Sequence, residues 1–177
     1  LRAARGRILE RISLTIDAMR EGARILRDDE NARIAFQYAN YAMLIQMRHS
    51  RNDLGGTRKA VSEAQSLPSL ASYTSSASQE SNWYPFQLAF QLLTLPSIVD
   101  HDSSDRDIVD LLWFPTGGGK TEAYLALSAF EIFHRRLKFA DKGAGTSVIT
   151  RYTLRLLTLQ QFQRSATLIC ACEFIRS

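Results

Sequence analysis

An α/β fold, with a parallel sheet preceded by an α-helical hairpin, is what this sequence predicts, and three observations predict it. Apolar residues recur three or four apart through the first fifty positions. Two apolar runs of strand length, Ile108 to Phe114 and Ser147 to Tyr152, flank a helical stretch, the order strand, helix, strand that gives a parallel crossover. A glycine-rich turn joins the first run to that helix.

Composition bounds the rest. With 177 residues, 45% hydrophobic and 23% charged, the chain reads as about one soluble globular domain and excludes collagen-like or wholly disordered classes. No stretch approaches the ~18 to 20 consecutive apolar residues of a membrane span, and the Arg-rich start lacks the apolar block of a secretory signal. A cytoplasmic location is expected. The net charge of +4 permits phosphate contacts without requiring them. Cys170 and Cys172 suit neither a disulfide framework nor a zinc site and read as small core residues; His49, His101 and His134 are too scattered to join them and read as surface or capping residues. A start at Leu1 and an end at Ser177, inside an apolar-periodic run, suggest a piece of something longer.

The elements follow in order. Residues 1–50 form the helical hairpin: Ile8, Ile12, Ile16, Met19, Ala23 and Leu26 line one helix, Ile34, Tyr38, Tyr41 and Ile45 the next, and Asp28 or Asp29 caps the second. Residues 51–82 hold eight serines, Gly55-Gly56 and Pro68, which reads as a linker or insertion with a weak helical pattern near Arg58 to Leu67. Residues 83–177 form the α/β unit. Pro85 to Leu95 is a helix ended by Pro96, His101 to Arg106 a polar turn, Thr121 to about Leu137 a second helix and Leu154 to Ile175 a third.

The informative residues are Pro115-Thr116-Gly117-Gly118-Gly119-Lys120-Thr121, between a predicted strand and a predicted helix. Three glycines free the backbone to bring its N–H groups onto phosphate oxygens, and the helix that follows adds unpaired N–H groups and the positive end of its dipole. Lys120 would then reach the β and γ phosphates and Thr121 would ligate Mg²⁺, making a nucleoside triphosphate with Mg²⁺ the expected ligand. Phe114 stands where the general phosphate-loop pattern has its first glycine. Glu122 reads as an acidic residue favoured by the helix dipole in preference to a catalytic base.

With Phe114 in that place, the segment resembles motif I of superfamily 2 helicases, including RecQ-like enzymes. The resemblance implies a RecA-like domain and a glutamine that reads adenine upstream, beside a stacking aromatic. Gln87 and Tyr84 fill those places, although Gln87 lies 33 residues before Lys120, a longer spacing than in DEAD-box enzymes. Downstream, Arg151-Tyr152-Thr153-Leu154-Arg155 through Gln160 is similar to motif Ia, which implies that Arg151, Thr153 and Arg155 touch a nucleic-acid backbone, unless they cap the helix. Over residues 83 to 165 the closest likeness is to the large bacterial helicases of the DISARM phage-defence type. This implies a DNA-directed ATPase that works with the remaining domains of a longer protein and with defence-complex subunits. No acidic Walker B pair follows Gln160, so the chain itself should bind ATP without turning it over. The alternatives are a nucleotide-responsive scaffold module and a small-molecule kinase, the latter disfavoured by Gln87 and Arg155.

Overall fold

Asp29 interrupts what would otherwise be one continuous run of helix. In the computed structural model, which describes residues 2–53, 82–113, 115, 117–152 and 155–177, helix α1 covers Arg2–Asp28 and α2 covers Glu30–Asp53. The Asp29 carboxylate accepts the Ala32 N–H at 3.0 Å, so Asp29 caps α2. Helices α3 (Pro85–Val99), α4 (Lys120–Phe139) and α5 (Arg155–Arg176) follow, with short 3-10 turns at Ser104–Asp107 and Ala140–Gly143. Of the predicted linker, residues 54–81 with the weak helical pattern lie outside the described residues; Arg51 to Asp53 end α2 and Asn82 precedes α3.

Packing joins helices distant in sequence more than the two neighbours at the N-terminus: α2 lies against α4 and α5, and α1 against α3. The buried face of α2 is Ala32, Ala35, Ala39 and Ala42 with Met43 and Gln46, and the facing side of α4 offers Ala123, Ala126 and Ala129 with Leu125, Phe130 and Phe133. Alanines on both surfaces let the backbones approach, and the large side chains fill the space beside them. This corrects the face assigned to α2 in part: Ile45 is buried as expected, but Tyr38 and Tyr41 sit at the rim, Tyr38 edge-on to Phe133 at 5.4 Å. The stripe on α1 is also only partly used, because Ile8, Ile12 and Ile16 are exposed.

Helix α3 does not stop at Pro96 but runs through it to Val99. Proline has no N–H, so the Leu92 carbonyl, four residues back, loses its helical donor. Gly22 of α1 meets that carbonyl. A Cβ on Gly22 would lie 2.0 Å from the Leu92 oxygen, so only glycine allows this crossing, and its Cα–H points at the oxygen that Pro96 leaves without a helix partner.

The expected parallel sheet, and the RecA-like α/β domain with it, does not form. Among the described residues there is no strand, and the segments 108–113 and 147–152 are irregular, in neither helix nor ladder. Val109, Leu111, Trp113 and Ile149 are between 82% and 92% exposed, the opposite of strands buried on both faces. A short apolar run has the same composition whether it enters a ladder or not, and here the helices supply the core by themselves. Two cysteine and histidine readings change too. Cys172 is buried and its thiol pushed up to about 12 by burial, whereas Cys170 is exposed. His134 is buried, stacked on Phe130 at 5.3 Å, and is neither a surface nor a capping residue.

Candidate functional site

The glycine-rich turn leads directly into α4. Gly117 and Gly119 adopt φ of 82° and 86°, the left-handed region that glycine enters without penalty. Gly119 is the N-cap of α4 and brings no side-chain cap, so Lys120 and Thr121 open the helix with its first amides uncapped by a side chain. The turn closes on one oxygen: the Pro115 carbonyl accepts the Gly118 N–H at 3.1 Å and the Lys120 ammonium at 2.9 Å. Lys120 is thus folded back over the turn at the end of α4 where the helix dipole is positive. Thr116 lies outside the described residues; Thr121 is half-buried in the first turn.

Gln87 touches this turn from α3. Its Nε2 donates to the Gly119 carbonyl at 2.7 Å, and its Oε1 accepts the Tyr84 N–H at 2.8 Å. The side chain is buried and spans from the start of α3 to the last glycine of the loop. A Cβ on Gly119 would stand 2.6 Å from Gln87 Nε2, so any other residue there would strain the backbone at its positive φ and push the Gln87 amide aside. Sequence reasoning put Gln87 and Lys120 in one site; in the structure Gln87 is bonded to Gly119, the residue before Lys120. It did not foresee the hydrogen bonds that hold Gln87 to the loop. Tyr84 is 62% exposed, stacked on Phe86 at 6.2 Å, and its backbone is fixed to the loop through Gln87. Trp83 anchors the same corner, its indole N–H donating to Asn40 of α2 at 2.6 Å.

Glu122 and Arg164 complete the neighbourhood. The Glu122 carboxylate, in the first turn of α4, is ion-paired with Arg164 of α5, and both side chains are largely shielded from solvent. Arg164 carried no signal in the sequence, since its partner is 42 residues away.

The predicted nucleic-acid residues fall on the segment before α5. Arg151 is exposed and, with Tyr152, lines a cleft of about 780 Å³ whose other wall includes Tyr124, Glu131 and Arg135 of α4. Burial pushes the Glu131 carboxyl above its ordinary range, against the pull of Arg135. Thr153 lies outside the described residues; Arg155 opens α5, and its side chain is likewise outside them. Among the described residues, no three His, Cys, Asp or Glu side chains gather as a metal site, and no helix is long and apolar enough to cross a membrane.

The chain is 42% identical over 181 residues to the DISARM protein DrmA of Bacillus paralicheniformis, an alignment that covers 96% of this chain. The chain is thus similar to one part of a DISARM protein. It spans 15% of the length of that relative. No family model matches, and no solved structure matches.

Proposed function

We propose that this DISARM-related chain supplies the ATP-binding portion of a superfamily 2 DNA helicase or translocase in bacterial phage defence, acting in the cytoplasm with defence-complex subunits and the remaining domains of a longer protein. The observation that carries the reading is Lys120 as the first residue of α4, directly behind two glycines in left-handed φ. That arrangement offers a phosphate what it needs: helix amides without a side-chain cap, a mobile cation and no Cβ in the way. The donor set fits ATP with Mg²⁺, because Mg²⁺ keeps most of its ligands as water and phosphate and asks the protein for little beyond the Thr121 hydroxyl.

In this reading Lys120 leaves the Pro115 carbonyl for the β and γ phosphates, and Pro115, Thr116, Gly117, Gly118 and Gly119 wrap them. Tyr84 stacks on the base. Gln87 reads adenine with its second N–H and its second carbonyl lone pair while its other two bonds keep the loop in place. Arg151, Thr153 and Arg155 hold the sugar-phosphate backbone of DNA. Mg²⁺ supplies charge neutralisation at the terminal phosphates.

The test is Lys120→Ala in the intact protein. It should lower DNA-stimulated ATP turnover by about a hundredfold or more while the helical circular dichroism stays unchanged. Full turnover in that variant would rule out the phosphate-loop assignment. Binding of ATP without turnover by the intact wild-type protein would select the scaffold reading instead.

A further inference from the structure

The carboxylate of Glu122 faces the phosphate loop. Its Oε2 is 3.5 Å from where a Cβ would stand on Gly119, so a negative charge lies against the last glycine of a loop meant for anions. An acid in the first turn of a helix is favoured by the dipole, but it would repel a triphosphate arriving at the same amides. Arg164 reaches across from α5 and pairs with the other oxygen, Oε1. The Glu122 and Arg164 side chains retain only 19% and 25% of their exposure, so salt screens this pair less than a surface one.

We propose that Arg164 is a positioning residue for the phosphate loop: it fixes the Glu122 carboxylate beside Gly119 and cancels its charge, so that the loop accepts a polyphosphate. The inference rests on the nucleotide reading above and adds to it a residue from a helix that contributes nothing to the loop itself. It also gives Glu122 a role distinct from that of a base. The carboxylate is engaged by a guanidinium and orders the junction of α4 and α5.

Binding of a fluorescent N-methylanthraniloyl ATP analogue to the intact protein tests this, with melting midpoints as the check on folding. Arg164→Gln leaves Glu122 uncompensated and should weaken binding about tenfold. Arg164→Lys keeps the charge and should stay near wild type. Adding Glu122→Gln to Arg164→Gln removes the repulsion and should restore affinity to within about twofold, a rescue that a merely structural pair would not give. An Arg164→Gln variant that binds like wild type, or a double variant as weak as the single one, overturns the role of Arg164 and leaves the nucleotide site standing. Absence of binding by the wild-type protein overturns both.

Discussion

The core of α2, α4 and α5 and the two irregular segments on either side of α4 are built from similar residues and end in opposite states. In the core, Phe130, Met43 and Leu168 are almost fully buried; in the segments, Leu111, Trp113 and Ile149 stand more than four-fifths exposed. What separates them is periodicity. Apolar and small residues spaced by three and four give a helix one continuous face, and two such faces can close on each other without help from any other segment. A run of alternating or consecutive apolar residues has no such self-sufficiency, because an extended backbone must find its hydrogen bonds on a second strand.

Substitutions that break this contrast should rank accordingly. Phe130→Ala, in the middle of α4, should cost about 3 to 5 kcal/mol of stability, read as a lowered urea midpoint, because the cavity it leaves is walled by helices on several sides. A loss below about 1 kcal/mol would mean that the α2 and α4 interface is not the true core.

The next effect is one of pH. Burial, and then Lys138, hold the His134 imidazole below its ordinary value of 6.5. The unfolded chain therefore takes up a proton in a range where the folded chain does not, and stability must rise with pH there. The contribution is complete above pH 6.5 and is lost as pH falls below it. Thermal melting followed from pH 7.5 to 5.5 should show this decline, and His134→Phe, which keeps the stack on Phe130, should flatten it. An equally steep decline in the variant would place the responsible group elsewhere.

Smallest is the response of the irregular segments. Leu111→Ser, 82% exposed, should change the melting free energy by no more than about 0.5 kcal/mol. A cost comparable to that of Phe130→Ala would mean that segment 108–113 is covered in solution and would erase the contrast.

The same division governs what could be read from the sequence. The helices were legible because their caps and periods are local: Asp29 before α2, Pro85 at the first turn of α3, the glycine turn before α4. Which face each helix buries was less legible. On α2 the large tyrosines drew the eye, but the alanines allow close approach, and a hydrophobicity pattern does not register that. The sheet was misjudged since Ile108 to Phe114 carries no mark of whether a partner strand exists. At the site, the loop glycines and Lys120 were visible as a contiguous motif, and Gln87 was found by resemblance. Its bonds to Gly119 and Tyr84, like the pairing of Glu122 with Arg164, arise only when α3 and α5 come to rest beside α4.

Where α1 crosses α3, a helix breaker and the smallest residue behave as one unit although 74 positions separate them. Exchange Pro96 for a residue with an amide hydrogen and the Leu92 oxygen regains a helical donor, turning from Gly22; enlarge Gly22 and the two backbones must part. Each position thus sets what the other tolerates, so a proline that looks like a defect in α3 serves as the socket that seats α1.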